Sequence, residues 1–316
     1  MPAISARAPG KIILFGEHAV VYGQPAIAVP VTQVQARAMI MAEPRLPAGS
    51  VRIQAPDIGL ESWLTDLPPD DPLAMVINQV LTKIGIARPP AMTVCITSTI
   101  PVASGLGSGA AVSVAMIRAL SDFLGHRLTD EEVSALAYEV EKVHHGTPSG
   151  IDNTVIAFAR PLFFQRRPDG NQIEIFKAAK PFLIAIGDSG INSPTVHTVG
   201  DVRAAWQADP ERYEHLFAQV GALVQSARQA IEAGAIHRLG PWMDQNHALL
   251  AEMGVSSPEL ERLVAAARLA GALGAKLSGG GRGGNMIALV TAETAETVRQ
   301  ALRQAGANNT ILTTIQ

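Results

Sequence analysis

Two glycine-rich stretches in this 316-residue chain have the composition of anion-binding loops. Residues 101–112 read PVASGLGSGAAV, with glycine at 105, 107 and 109 just before an alanine-rich run. The stretch lacks the lysine and following Ser/Thr of a Walker loop and does not fit G-x-G-x-x-G. What remains is a permissive turn at a helix start, where backbone amides and the helix dipole attract anions. The second stretch, LSGGGRGGN at 277–285, puts five glycines into positions 279–284 around Arg282. So little side chain costs conformational entropy on ordering, which suits a backbone that a ligand approaches closely.

The charged candidates lie elsewhere: Lys11 in PGK, Glu17 and His18 in GEH, Glu141, the pair His144-His145, and Asp152 in GTPSGIDN. Singly, each has a plain structural reading. Lys11 suits a solvated surface, His18 a loop, Glu17 a turn, and Asp152 a turn that its carboxylate organises. The adjacent histidines would point in different directions on a helix, which argues against a shared metal.

The elements that must carry these residues follow from local pattern. KIILF at 11–15 reads as a strand leading into a turn-rich segment, with another strand through Ala26–Val34. Met92, Val94 and Ile96 alternate with Thr93, Cys95 and Thr97, giving a strand that runs into the first glycine loop; a buried helix from Ala110 to Leu124 follows it. Thr129–Glu132 (TDEE) is a capping box that opens a helix. Its apolar stripe is Val133, Leu136, Ala137, Val140 and His144; at 100° per residue Glu141 falls about 80° from Val133, on the stripe's edge. That helix is expected to stop at Gly146, ahead of Pro148. Further on, a long helix covers Glu214–Ala233, another starts near Ser257-Pro258, and MIALV at 286–290 is a strand. RRPDG at 166–170 is turn material, and a domain boundary is expected near Lys180.

Composition sets the class. With 47% hydrophobic and 17% charged residues the chain can bury two cores, and interspersed helix and strand patterns predict an α+β fold. A net charge of −3 without a basic cluster argues against nucleic acid and for a small-molecule partner. Cys95 is the single cysteine, so no disulfide framework exists, and a reducing, cytoplasmic setting is expected. MPAISARAPGK has no secretory apolar core. The uncharged stretch 89–117 is rich in Pro, Gly, Ser and Thr, so no membrane span is assigned.

Taken together, the motifs resemble the GHMP kinase superfamily. APGKIILFGEHAVVYG (8–23) is similar to its first motif, PVASGLGSGAAV to its phosphate loop, and KLSGGGRGGN to its C-terminal glycine loop. EKVHHGTPSGIDN (141–153) and MDQNHALLAEMGVSSPEL (243–260) are most similar to the mevalonate kinase branch. The resemblance implies a two-domain α+β kinase, residues 1–180 and 181–316, with its active site in the cleft between domains. The implied activity is ATP-dependent phosphorylation of the C5 hydroxyl of mevalonate by a homodimer using Mg²⁺. Its roles, carried over by position, make Asp152 the catalytic base and Lys11 the lysine that lowers the substrate hydroxyl's pKa. Glu17, His18 and Thr195 fall on the substrate side, with Glu17 expected to support Lys11. Ser98, the loop Ala103, Ser104, Gly105, Leu106, Gly107, Ser108 and Gly109, and Gly280, Gly281 and Arg282 fall on the nucleotide; Glu141 and Ser108 fall on magnesium. The alternatives are a related kinase acting on another small hydroxy acid or another mevalonate hydroxyl, and a silent ligand-binding homologue.

Two positions depart from the family pattern. Gly109 stands where a second, metal-binding serine is usual, so either Ser108 or a water fills that place. Arg282 stands where glycine is usual, and its guanidinium either points away from the site or reaches the β- or γ-phosphate.

Overall fold

The computed structural model describes residues 3–101, 104–145, 148–193 and 195–316. The chain opens with β1 (Ala3–Phe15), β2 (Pro25–Ala42), β3 (Val51–Ala55), β4 (Leu60–Trp63), α1 (Pro72–Ile84) and β5 (Met92–Ser98). Then come α2 (Ser108–Phe123), α3 (Asp130–His145), α4 (Ile151–Phe158), β6 (Leu162–Gln165), β7 (Gln172–Ile175) and β8 (Phe182–Asp188). It closes with α5 (Thr195–Ala208), α6 (Pro210–Ala233), α7 (Leu239–Glu252), α8 (Pro258–Leu269), β9 (Gly274–Ser278), β10 (Asn285–Val290), α9 (Ala295–Gln304) and β11 (Asn309–Ile315). Largely antiparallel sheets with packed helices make this the expected α+β class. Among the described residues no helix is long and apolar enough to cross a membrane.

Packing divides the described residues into two units that interleave along the chain: 3–10, 34–101 and 107–159 in the first, and 11–33, 104–106 and 160–316 in the second. The GEH segment and the tip of the first glycine loop pack with the C-terminal half.

In the first unit β5 runs antiparallel to Ala36–Ala42 of β2 and parallel to β3, and β4 pairs antiparallel with β3. Against this sheet lies α2, which also packs on α1, α3 and α4. A helix with so many neighbours must be apolar on most sides: Ala110, Ala111, Val114, Ala115, Met116, Ile117, Ala119 and Leu120 are all buried. The capping box forms, Thr129 N donating to Glu132 Oε2 at 3.1 Å and Glu132 N to Thr129 Oγ1 at 3.3 Å. Val133, Ala137 and Val140 of α3 are buried, and Glu141 sits half-exposed at the stripe's edge. Gly146, the expected stop, lies outside the described residues. Among the helices not foreseen, α4 bears directly on the site: it starts directly after Gly150, which takes the left-handed conformation (φ 86°).

In the second unit β11, β8, β10 and β9 form an antiparallel sheet in that order. The inner strands β8 and β10 are nearly continuous apolar runs, as strands covered on both faces require. Helices α8 and α9 pack on it, α9 through Ala295, Val298 and Leu302 at i, i+3 and i+7. The outer edge of β9 is capped by α7: Ala275 N donates to Asp244 Oδ1 at 2.9 Å and Leu277 N to His247 Nδ1 at 3.2 Å. Two side chains one turn apart on the helix thus satisfy amides that a neighbouring strand would otherwise take.

Candidate active site

Within the second unit, one chain of contacts joins the segments that carry the sequence candidates. Lys11, buried in β1, donates its backbone amide to Leu106 O at 2.9 Å. Leu106 is itself buried and anchors the tip of the first glycine loop. Ser104 O in that tip accepts from Asn285 Nδ2 at 2.5 Å, which ties the tip to the second glycine loop. In turn Gly284 is held by Ser189 N→Gly284 O (2.8 Å) and Gly284 N→Ile191 O (2.9 Å). Lys11, Ser104, Gly105, Leu106 and the 279–284 loop are therefore one fastened group.

The second glycine loop needs its glycines. A Cβ on Gly281, whose φ is +77°, would stand 2.0 Å from Val255 O, and one on Gly280 would stand 2.8 Å from Thr195 Oγ1. This close approach brings Thr195, the first residue of α5, against Gly280. Arg282 holds φ +55°, and its amide donates to Val255 O at 2.8 Å. Its guanidinium pairs with Asp201 of α5, and Nε donates to Gly254 O at 3.1 Å. Of the two orientations open from the sequence, the structure shows the guanidinium on Asp201.

His18, also non-glycine with φ 58°, is 5% exposed and donates Nε2–H to Gly280 O at 2.9 Å. Burial lowers its pKa from 6.5 to about 4, so the imidazole is neutral at pH 7. The carboxylate of Glu17 meets Lys276 of β9, both buried; Glu17 was expected to support Lys11. Burial raises the Glu17 pKa and lowers that of Lys276, and their mutual attraction opposes both shifts. After His18 the chain is pinned by Tyr22, which stacks on Phe217 of α6 (centroids 4.1 Å apart, planes 10°) and lies 5.2 Å from Trp206 of α5.

The first unit carries the remaining candidates. Gly107 is left-handed (φ 75°) and is the N-cap of α2, where no side chain caps the helix. Ser108, Gly109 and Ala110 are its first residues, so the end of α2 has the amides and dipole of an anion site. Ala103 lies outside the described residues. Ser98 ends β5, its amide donating to Asp57 Oδ2 at 2.6 Å and its hydroxyl accepting from Ile100 N at 3.1 Å. Asp152 stands half-buried in the first turn of α4. Its helix is locked to α3 by its neighbours: Asn153 Nδ2 donates to Ser134 O (3.0 Å) and Oγ (2.9 Å), and Thr154 Oγ1 lies 3.2 Å from Ser134 Oγ. Glu141 lies on α3, whose partner in this lock is Ser134.

Lys276, Asn285, Asn153, Ser134 and Asp201 escaped the sequence reading. A usable signal existed for three of them: Lys276 and Asn285 bracket the glycine loop and Asn153 follows Asp152, so polar residues flanking a motif are its natural supports.

With this geometry in hand, two family models match the sequence, "GHMP kinases N terminal domain" over residues 73–160 and "GHMP kinases C terminal" over residues 227–308. The chain belongs to the GHMP kinases. Its curated relatives include mevalonate kinases. The mevalonate kinase of Thermococcus sibiricus is 39% identical, across 96% of this chain and 93% of that protein, and the mevalonate kinase of Pyrococcus horikoshii is 37% identical at the same coverage. Among solved structures, L. major mevalonate kinase in complex with R-mevalonate matches with a TM-score of 0.86 at 31% identity, covering 99% of this chain and 95% of that one.

Proposed function

We propose that the chain transfers the γ-phosphoryl group of ATP to the C5 hydroxyl of (R)-mevalonate, giving 5-phosphomevalonate and ADP at the entry to isoprenoid synthesis. The observation that carries this reading is the fastened group in the second unit: Lys11, His18, Thr195 and both glycine-loop segments belong to one contact network.

In phosphoryl transfer the protein mainly positions the reactants and stabilises charge. The reading gives Asp152 the C5 hydroxyl proton and Lys11 the fixed positive charge beside the alcohol. A carboxylate is a weak base towards an alcohol, so proton transfer comes late and the lysine matters as much as the base. Neutral His18 and Thr195 orient the hydroxy acid as hydrogen-bonding groups. Gly105–Gly109 at the start of α2, together with Gly280 and Gly281, offer backbone amides to the phosphates, and Ser98 faces the nucleotide. Arg282 borders the phosphates through its backbone, with its side chain on Asp201.

Magnesium, when bound, would supply positive charge against the phosphates. Glu141 and Ser108 would hold it; a carboxylate and a hydroxyl are the hard oxygen donors it takes, and both residues sit on helices that pack together, α3 and α2. The reading places the family's N-terminal domain in 1–180 and its C-terminal domain in 181–316, and it includes a cytoplasmic homodimer.

An ADP-release assay with Mg-ATP and mevalonate, phosphomevalonate or homoserine tests the substrate, with phosphorus NMR fixing the position of the new ester. Turnover of mevalonate to the 5-phosphate, lost in Asp152→Asn, is the expected result. Preference for another acceptor would overturn the reading.

A further inference from the structure

Three side chains in succession fasten the end of β1 and the segment that follows it to β9 and its glycine loop. Ser278 Oγ donates to Ile13 O at 2.8 Å, Lys276 Nζ pairs with Glu17, and His18 donates to Gly280 O. Lys276 and Ser278 are two residues apart on a strand and therefore leave the same face, which the pairing of Lys276 opposite Ile287 of β10 fixes in register. The central contact is the unusual one. Lys276 is 0% and Glu17 3% exposed, and nothing in the phosphoryl-transfer scheme uses Lys276.

A buried ammonium and carboxylate each face a large desolvation cost, which only close pairing and full hydrogen bonding offset. Here Nζ also donates to Leu277 O at 2.6 Å, while Glu17 Oε2 is buried without a hydrogen-bond partner of its own. Such a pair adds little net stability compared with an apolar one, but its attraction holds in one geometry only. The residue next to Glu17 is His18, whose left-handed backbone is unfavourable for any side chain and persists only where its surroundings dictate it. Holding Glu17 on β9 therefore dictates the backbone of His18 and aligns its ring with Gly280.

We propose that Lys276 is a positioning residue for substrate binding: through Glu17 it fixes His18, and the GEH segment thereby presents a preorganised face to the small hydroxy acid. Glu17 is on this account a link to Lys276 rather than a ligand of the substrate. The inference rests on the kinase reading given above, since it takes His18 to face that acid.

The test is a double-mutant cycle on Lys276→Met and Glu17→Gln, with KM measured separately for mevalonate and ATP. In the wild-type background Lys276→Met is expected to raise KM for mevalonate at least tenfold while KM for ATP stays within twofold. In the Glu17→Gln background the same substitution should cost threefold or less, because no buried carboxylate is then left unpaired. An equal cost in both backgrounds, or an equal rise in the two KM values, would overturn the proposal. Lys276→Arg keeps the charge, is expected to cost about threefold, and serves the same cycle should Lys276→Met not fold. Failure of the kinase reading shows separately, as wild-type protein that does not turn over mevalonate. Imidazole NMR then decides the positioning claim: the His18 Nε2–H signal, assigned with His18→Asn, should be seen in wild type and lost in Lys276→Met, and its persistence would sink the claim.

Discussion

Arg282→Gly separates a loop tether from a phosphate ligand. On the stability side, the left-handed backbone of Arg282 (φ 55°) costs about 1 kcal/mol more for arginine than for glycine, which the substitution relieves. Against that gain stand three losses. The ion pair with Asp201 joins side chains that are 39% and 60% exposed and is worth about 0.2–1 kcal/mol. The bond from Nε to Gly254 O at 3.1 Å adds about 1 kcal/mol, and the extra freedom of glycine in the unfolded chain another 0.5–1 kcal/mol or so. The balance is a destabilisation of about 1 kcal/mol, a fall in Tm of a few degrees for a chain of this size.

On the functional side, a guanidinium in contact with a phosphate would form a charge-assisted bond of about 1.5–3 kcal/mol, and its loss would raise KM for ATP about tenfold or more. With the side chain on Asp201, the expected change in KM for ATP and in kcat is below threefold. Steady-state kinetics beside a thermal melt decide the matter, with Asp201→Asn as a second probe of the same tether. A tenfold rise in KM for ATP in Arg282→Gly, with Asp201→Asn near wild type, would refute the tether and return Arg282 to the phosphates.

His18 should mark the acid limb of stability. Its folded pKa of about 4 lies below the unfolded 6.5, so the unfolded chain takes the proton first and stability falls as pH drops from 6.5 towards 4. His18→Asn should lose about 2–3 kcal/mol less than wild type between pH 7 and 4.5 in urea melts; identical acid limbs would contradict this. Asn153→Ala removes two bonds to Ser134 from a residue 4% exposed and should cost about 1–3 kcal/mol, with kcat falling at least tenfold as Asp152 loses its support. An unchanged kcat with a lowered Tm would show that the lock does not position the base. Gly109→Ser restores the usual hydroxyl in open space, a Cβ there meeting nothing within 4 Å, and should lower the magnesium needed for half-maximal rate severalfold. A magnesium titration that overlays on wild type would mean that the hydroxyl finds no metal.

What the sequence made legible was local. The capping box at Thr129, the cap at Ser257, the alternation in β5 and the glycine runs all act within a few residues, and each stands where its pattern put it. Helix α4 was hidden because Gly-Ile-Asp-Asn after Pro and Ser carries turn chemistry, and its eight residues are too few to display a period. β9 was hidden because Lys276 and Ser278 interrupt its apolar pattern, their polarity being satisfied by residues of the GEH segment and β1. Lys276 lies 259 positions from Glu17 and Asn285 181 from Ser104, and no periodicity reports a pairing of that span. The same holds for the interleaving of the two units. Of the candidate site, the residue types were readable and the supports were not.

On the proposed kinase reading the two glycine loops would hold phosphates by amides and supply no full charge, so the positive charge opposite those phosphates would have to come from side chains or metal. Lys276 is neutralised by Glu17, and Arg282 is matched by Asp201. Lys11 has a different relation to the loops: its backbone is bonded to Leu106 in the loop tip, so its position follows that of the segment meant to hold the phosphates. It should therefore dominate over the other two cations in the chemical step. Lys11→Met is expected to lower kcat at least a hundredfold, about 3 kcal/mol of transition-state stabilisation, while Arg282→Gly stays within threefold. Single-turnover rates at saturating Mg-ATP isolate that step from binding. A loss below tenfold in Lys11→Met would shift the neutralisation of the transferring group to the metal and its Glu141 ligand, and the magnesium dependence of Glu141→Gln would then have to steepen in proportion.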